Sequence, residues 1–379
     1  MTKSFFPRLN RPLPHYVQLP FRALGHIIAQ AVFSPPKAEY PFTVQKGTNI
    51  LFLRHDALGD MICTLPMFRL VKKNFPDACI HVVCTNANKT MIENCEFVDQ
   101  VHVADAGIGS APLKHLGRIQ ELRSLHCDII VNCLTSKASK NGILTALISG
   151  KKSLTSSIFS GKRYELYYST LSHKASSMQS MWDKMFMLGV ETFGLQFSDA
   201  DRKAILPSKP EHKALAEDTL ESLGLKHREF IAVNVSAGQK RNRWSLESCI
   251  HFIEYLHKKG LQPLIFGMEN DRAFIDALHE QFPAMLQYPY GRHVLEVGEA
   301  LKKASWGCTP DTGFLHLATA AECPVVALYC HLTEQSINEW APFRIPFERV
   351  ISHTESVADI SSDLIINAAE RLMASLQSS

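Results

Sequence analysis

The sequence lacks the patterns that mark several large classes of protein. It contains no apolar run near the roughly 20 residues that a membrane span requires. Its first residues lack the apolar segment of a secretory signal, and its cysteines form no CxxC pair. A net charge of +3 is too small to predict nucleic acid as the main partner. We therefore expect a cytoplasmic globular protein.

Common catalytic and cofactor motifs are also missing. There is no GxGxxG or GxxxxGK(S/T) loop, which disfavours NAD enzymes and P-loop ATPases. There is no GxSxG nucleophile elbow. The 17 histidines are scattered, without HExxH or a Cys/His cluster, so no metal site is predicted. The ten cysteines lie mostly inside apolar runs and are expected to be reduced core residues.

The sequence of 379 residues does contain two successive series of alternating strands and helices, one in each half. The predicted strands are 50–54, 78–84, 101–104, 128–133, 230–236, 262–267, 284–288, 304–308 and 324–329. The predicted helices are 60–74, 86–95, 114–125, 141–149, 178–188, 213–223, 245–259, 271–281, 294–303 and 313–322. This alternation predicts an α/β protein with two Rossmann-like, doubly wound domains that face a central cleft. The prolines at 207 and 210 place the boundary, giving domains 47–208 and 209–355 and a C-terminal helix within 356–379.

Residues 1–46 form a basic extension with six Lys or Arg residues against one Glu. Within it, Phe21 to Phe33 is a short amphipathic helix candidate bounded by prolines. One interpretation is an arm that rests on an anionic membrane surface. The other is an ordinary helix packed on the first domain, which is favoured because amphipathic helices more often face a core.

The first candidate site follows the strand Ile50 to Arg54. His55 to Gly59 is predicted to be a turn, with Gly59 free to take a positive φ, and Asp60 is placed near the N-cap of the next helix. Asp56 or Asp60 could accept a proton from a hydroxyl, since a helix N-terminus helps to keep a carboxylate ionised. A plain capping role for Asp60 explains the spacing equally well.

The second candidate site is Asp311-Thr312-Gly313, between a strand and a helix rich in small residues. Free N–H groups at the helix start would hold a diphosphate, helped by the helix dipole, and His316 lies one turn further on. The alternative is that Asp311 and Thr312 merely cap the helix and His316 is a core residue.

Two further loops follow strands of the second half. The loop 236–244 contains Gly238 and the cations Lys240, Arg241 and Arg243, and is interpreted as a phosphate clamp or as a solvated basic loop. Glu269 follows a strand and a glycine, where it could accept ribose hydroxyls or cap a helix.

Together these motifs resemble glycosyltransferase family 9, the ADP-heptose:lipopolysaccharide heptosyltransferases. The resemblance rests on Arg54-His55-Asp56-Ala57-Leu58-Gly59-Asp60, Pro66, Phe75-Pro76, Arg243-Trp244, Phe266-Gly267, Pro310-Asp311-Thr312-Gly313-Phe314-Leu315-His316-Leu317-Ala318 and Pro324 to Tyr329. It covers about 48–330. The chain departs from the family at Asn242, where many members have Lys, and in its long N-terminal extension.

The resemblance implies a GT-B fold and an inverting transfer that needs no metal and no further cofactor. It implies Asp60 as general base and an acceptor side formed by Arg54, His55, Asp56 and Gly59. It implies that the donor is held by Thr312 and Gly313, supported by Asp311, His316, Arg243, Arg241, Glu269 and Gly238. The implied donor is ADP-heptose, and the implied acceptor is the lipopolysaccharide core or another glycan at the cytoplasmic face of the inner membrane.

Alternatives remain open from the sequence. Within the family, the donor could be another nucleotide sugar and the acceptor a protein. Outside transferases, a sugar-nucleotide epimerase of similar shape and a non-catalytic nucleotide-sugar-binding protein are the competing interpretations.

Overall fold

The computed structural model of the protein describes residues 35–93, 95–135 and 139–378. The amphipathic helix predicted at 21–33 lies outside the described residues. The described chain forms two six-stranded sheets in which every strand pairs in parallel with its neighbours. The predicted α/β class is therefore confirmed.

The first sheet has the strand order β3-β2-β1-β4-β5-β6. Its strands are β1 Asn49–Leu53, β2 Cys79–Cys84, β3 Gln100–Val103, β4 Ile129–Asn132, β5 Leu154–Ile158 and β6 Thr170–Ser172. Its helices are α1 Leu58–Asn74, α2 Leu116–Ser124, α3 Ser139–Ile148, α4 His173–Ser177 and α5 Met181–Phe193. The central strand β1 is apolar on both faces because helices cover both faces of a parallel sheet.

The second sheet has the order β12-β11-β10-β7-β8-β9. Its strands are β7 Phe230–Asn234, β8 Gln262–Phe266, β9 Leu286–Gln287, β10 Trp306–Pro310, β11 Val325–Tyr329 and β12 Phe347–Ile351. Its helices are α6 Pro210–Ser222, α7 Leu246–Lys258, α8 Arg272–Gln281, α9 Val294–Leu301, α10 Gly313–Ala320, α11 Glu334–Glu339 and α12 Ser362–Gln377. Helix α12 packs on this second sheet, where Ile365, Ala368 and Leu372 join the core around Phe252.

Both sheets have the doubly wound order 3-2-1-4-5-6, in which the order reverses beside the first strand of each half. The loops that follow β1 and β4, and those that follow β7 and β10, therefore meet at the two points where such folds bind ligands. Three of the predicted site loops, those at residues 54–60, 236–244 and 311–313, follow β1, β7 and β10.

Some predicted elements were wrong. Where a helix was predicted at 86–95, the described residues contain only a short 3₁₀ turn, Lys89–Met91, and the strand predicted at 284–288 has only two residues. Strands β5, β6 and β12 and helix α11 were missed. Strand β5 reads LTSSI, which lacks an apolar run, yet its hydroxyls are buried in hydrogen bonds: Ser156 Oγ lies 2.8 Å from Thr192 Oγ1, and Ser157 Oγ donates to Asn132 O.

All ten cysteines are free thiols, and nine of them are buried, as their apolar surroundings predicted. Within the described residues, no helix is both long enough and apolar enough to cross a membrane.

Candidate active site

The loop after β1 is built around a fully buried guanidinium. Arg54 Nη2 donates to Asp60 Oδ1 at 3.0 Å and Nη1 donates to Asp56 Oδ2 at 3.1 Å. Its Nε donates to the Asp60 carbonyl at 2.9 Å, and Nη1 also donates to the Cys133 carbonyl at the end of β4. Arg54, predicted on the acceptor side, therefore lies beneath both carboxylates and fixes their positions.

Asn88 holds the backbone of the same loop and was missed by sequence reasoning. Its Nδ2 donates to the carbonyls of Arg54 and Asp56 at 3.1 and 3.2 Å, and its Oδ1 accepts from the Thr85 N–H at 2.8 Å. The signal was present in the polar run that follows β2, since neighbouring parallel strands end at the same edge of a sheet.

Helix α1 begins two residues earlier than predicted. Ala57 is the N-cap without a side-chain hydrogen bond, and Asp60 is the third helical residue, so the capping role for Asp60 was wrong. Gly59 lies inside the helix and has no positive φ. It is required for a different reason: a Cβ at this position would lie 2.3 Å from His316 Cδ2 on the opposite domain.

The N-terminal turns of α1 and α10 therefore meet across the domain interface. Thr312 is the N-cap of α10, and a Cβ at Gly313 would lie 3.2 Å from Leu58 Cδ2. The predicted base region and the predicted diphosphate seat are brought together by this contact. Thr312 makes no side-chain cap, which leaves the first N–H groups of α10 unsatisfied by its own hydroxyl.

His316 fills the interface between the two helices. It is buried, its Nδ1 lies 3.6 Å from Cys63 Sγ, and its ring lies near Trp182 and Trp340. Burial lowers its pKa to about 4, so the imidazole is neutral near neutral pH. Its environment matches a packed interface residue more closely than an exposed ligand for a diphosphate.

On the donor side, two buried amides position the loop after β10. Asn242 Nδ2 donates to the Asp311 carbonyl at 2.7 Å, and Asn234 Nδ2 donates to Thr309 Oγ1 at 2.9 Å. Asn242, the position where many family members have Lys, is therefore a structural residue in this chain. Burial raises the pKa of the Asp311 carboxyl to about 6, and the charge of Arg241 opposes that rise.

The cations of the loop after β7 are more exposed. Arg243 is half exposed, with Nε donating to the Ala237 carbonyl at 3.4 Å and Nη2 lying 3.7 Å from Asp271 Oδ1. Arg241 Nε donates to Gln239 Oε1 at 2.9 Å. Gly238 is exposed, with open space around it. These guanidiniums are free to turn towards an anion.

The acidic residue after β8 was predicted either to contact a ribose or to cap a helix, and the structure gives the capping position to Asp271 instead of Glu269. Asp271 is buried and its Oδ2 accepts from the Met268 N–H at 3.0 Å, as a cap does. Glu269 is 63% exposed and is paired with Arg272. The ribose contact of Glu269 stays a prediction.

A cavity of about 640 Å³ lies between the carboxyl edge of the first sheet and helix α11. Hydroxyl, amide and aromatic side chains line it, including Thr135, Ser157, Phe159, Gln335 and Trp340. The cavity reaches Leu134, next to the Cys133 carbonyl that holds Arg54, and Trp340 packs on His316.

An ion pair crosses the wall of this cavity, with Lys184 Nζ 2.5 Å from Glu339 Oε1. These residues lie 155 positions apart on different domains, and nothing in their local sequence indicated the contact. Among the described residues, no group of three or more His, Cys, Asp or Glu side chains is placed to hold a metal ion.

The sequence matches the family described as glycosyltransferase family 9 (heptosyltransferase) over residues 119–359. The chain belongs to this family. The match covers the second sheet and the Asp311-Thr312-Gly313 loop but not the loop after β1, so the role of Asp60 stays a prediction.

Solved structures of family members have the same fold. A glycosyltransferase of family 9 from Veillonella parvula is 18% identical, with 88% of this chain and 99% of that chain covered and a TM-score of 0.72. The E. coli heptosyltransferase WaaC with ADP is 15% identical, with 86% and 100% covered and a TM-score of 0.66. The E. coli ADP-heptose lps heptosyltransferase II is 15% identical, with 87% and 100% covered and a TM-score of 0.65. At these identities the likeness establishes the GT-B fold.

The protein is therefore a glycosyltransferase, which uses a nucleotide-sugar donor. This outcome favours transfer over the epimerase and the non-catalytic binding protein that the sequence left open.

Proposed function

We propose that the protein transfers a heptose from ADP-heptose to a hydroxyl of the lipopolysaccharide core, with inversion at the anomeric carbon and without a metal ion. The observation that supports the proposal is the contact between the first turn of α1, in which the buried Arg54 holds Asp60, and the first turns of α10 at the domain interface.

On the donor side, the diphosphate lies on the N-terminus of α10, where N–H groups and the helix dipole favour an anion. Arg243 and Arg241 turn in from the loop after β7 and neutralise the charge that develops on the leaving nucleoside diphosphate. The helix dipole and the guanidinium charges thus have the role that Mg²⁺ has in metal-dependent transferases.

On the acceptor side, the sugar enters through the cavity beside α11. Its hydroxyls and aromatic rings suit a carbohydrate, which presents both polar edges and apolar faces. Asp60 removes the proton from the acceptor hydroxyl, and the oxygen attacks the anomeric carbon from the face opposite the leaving group.

The heptose donor is proposed because the family description and the titles of two similar structures name heptosyltransferases. The alternative within the family is another nucleotide sugar or a protein acceptor. A thermal-shift series with ADP, UDP and GDP at equal concentration tests the nucleotide, since the ligand with the lowest Kd stabilises the protein most. We expect the largest shift with ADP; a larger shift with UDP or GDP contradicts the ADP-heptose assignment.

Asp60→Asn tests the base. The variant should fold and keep its ADP-induced thermal shift, while transfer to purified lipopolysaccharide core falls by about 10²–10⁴-fold. Asp218→Asn, an exposed carboxylate on α6, is the matched control and should transfer at the normal rate. Near-normal transfer by Asp60→Asn would remove Asp60 as the base.

We further propose that the protein works on the cytoplasmic face of the inner membrane, with its basic extension on the anionic lipid surface. Deletion of residues 1–34 tests this, because it keeps Tyr40 and Phe42, which pack on the first domain. When vesicles that contain anionic lipid are sedimented, the full chain should be found in the pellet and the truncated protein in the supernatant. Equal binding by both would dismiss the membrane role of the arm.

A further inference from the structure

Two carboxylates share one buried cation at the proposed base. Arg54 is fully buried and directs Nη1 to Asp56 Oδ2 and Nη2 to Asp60 Oδ1. If both carboxylates are ionised, the group carries one uncompensated negative charge in a site that is partly shielded from water. Such a charge is costly unless the group retains a proton.

The N-terminus of α1 opposes part of that charge, but within the described residues no neighbouring side chain other than Arg54 is shown to balance it. Arg54 is the cation that lowers the pKa of the Asp56 carboxyl. His55 is neutral near pH 7, because burial and the charges of Arg54 and Lys140 lower its pKa to about 4. On the opposite domain, His316 is neutral as well.

The thiols beside the pair are neutral too. Burial raises the pKa of Cys133, at the end of β4, to about 12, and it raises the pKa of Cys63, on α1, well above its ordinary value. From the segment after β2, Thr85 and Asn88 supply only uncharged contacts.

Asp56 has the geometry of a carboxyl that retains a proton. Among the described residues, its Oδ1 is buried without a hydrogen-bond partner, whereas its Oδ2 is bound by Arg54. A charged oxygen left unpaired in this way is unfavourable. Burial raises the pKa of Asp56 to about 7; Asp60 adds to the rise and Arg54 opposes it.

We propose that Asp56 is a positioning residue that shares one proton with Asp60, so that sugar transfer reaches its full rate only after the pair has released this proton. The inference rests on the proposed role of Asp60 as base. It gives the reaction a control that neither the family assignment nor Asp60 alone supplies.

The proton balance shows why release is needed. In the doubly ionised pair, Asp60 takes the acceptor proton as the acceptor O–H bond breaks. The acceptor oxygen then bonds to the anomeric carbon, and the bond to the diphosphate oxygen breaks with its electron pair leaving on the nucleoside diphosphate. One negative charge remains opposite Arg54. If the pair already held a proton, the same step would leave Arg54 without any ionised partner.

The first experiment compares kcat/KM for transfer between pH 5.5 and 9 in the wild type, Asp56→Asn and Asp56→Glu. The wild type should gain activity through an ionisation near pH 7. Asp56→Asn cannot release a proton, so it should lose that limb and stay about tenfold below the wild type at pH 8. Asp56→Glu should restore a rising limb. A wild-type-shaped profile in Asp56→Asn would overturn the inference.

The second experiment measures stability and needs no activity. A carboxyl whose pKa is raised on folding costs stability as the pH rises from its unfolded value, about 4, through its folded value. The Tm of Asp56→Asn, relative to the wild type, should therefore increase between pH 5 and pH 8. A merely structural hydrogen bond predicts an equal loss at both pH values, and that result would contradict proton sharing.

The two proposals fail in different ways. Loss of transfer in Asp60→Asn together with an unchanged pH profile and a pH-independent Tm difference in Asp56→Asn would refute proton sharing and leave the base in place. Near-normal transfer in Asp60→Asn would refute the base, and the Tm comparison would then decide whether the pair shares a proton.

Discussion

The two strand-loop-helix units that meet at the interface have the same topology but opposite construction. After β1, a buried guanidinium holds two carboxylates by direct ion pairs, and Asn88 ties down the backbone. After β10, uncharged amides hold the backbone, and the cations lie outside on a neighbouring loop.

The difference fits the roles that we propose for the two units. A general base has to be held at one position, and the cation that supports the proposed base is buried. A site that binds and releases a diphosphate in every cycle needs cations that can reach the anion, and the cations on the proposed donor side are exposed. Substitutions of equivalent kind in the two units should therefore have unequal effects.

Removal of the buried guanidinium should have the largest effect. Arg54→Met leaves Asp56 and Asp60 without their cation and should lower the free energy of unfolding by about 3–5 kcal/mol. The matched change on the donor side, Arg241→Met, should cost less than about 0.5 kcal/mol because Arg241 is exposed. Urea denaturation of both variants measures the difference, and similar losses would show that the two units are built alike.

Substitution of Gly59, which contacts His316 across the interface, should have the second-largest effect on stability. Gly59→Ala places a Cβ against the His316 ring and should cost about 1–3 kcal/mol through displacement of buried side chains. Gly238→Ala, in open space on the donor side, should leave stability unchanged. The Tm values of the two variants measure this, and equal Tm values would mean that the domains separate without cost at this contact.

The exposed cation should affect binding more than folding. Arg243→Met should raise the donor KM by about 10–100-fold, since a charge-assisted hydrogen bond is worth about 1.5–3 kcal/mol, while the urea midpoint stays the same. Initial rates at varied donor concentration provide the measurement. A lower urea midpoint with an unchanged KM would assign Arg243 to the fold.

The smallest effect should be the acid sensitivity of the interface. Burial lowers the pKa of His316 to about 4, whereas in the unfolded chain the pKa of a histidine is about 6.5. The neutral imidazole therefore makes its full contribution to the free energy of unfolding above pH 6.5, and this contribution is lost as the pH falls towards 4. His316→Gln should therefore show a shallower decrease in Tm between pH 6.5 and 4.5 than the wild type. Parallel curves would mean that the imidazole becomes charged without cost.

The sequence was sufficient for the fold wherever a strand was apolar. Strands β1 and β7 and their following helices were predicted from apolar periodicity, and the Asp311-Thr312-Gly313 loop was located by its position after β10. Strands such as β5 were missed because their buried hydroxyls are paired by residues far away in the chain.

In the site, the residues that carry local motifs were found and those that act at long range were not. Asp60, Thr312 and Gly313 lie at the starts of α1 and α10, where short motifs follow apolar strands, and their roles stay predictions. The Cys133 carbonyl and the Lys184–Glu339 pair act on partners 79 and 155 positions away, so no local pattern could indicate them. Asn88 acts on partners 31 and 34 positions away, and the polar run that follows β2 was its only signal in the sequence.

The thiol of Cys63 offers a practical consequence. It lies on α1 directly against His316, where the shut interface shields it from solvent. A maleimide reagent can label it only while the two helices are apart. The labelling rate, followed with and without nucleotide, would therefore report how often the enzyme opens and whether its donor keeps it shut.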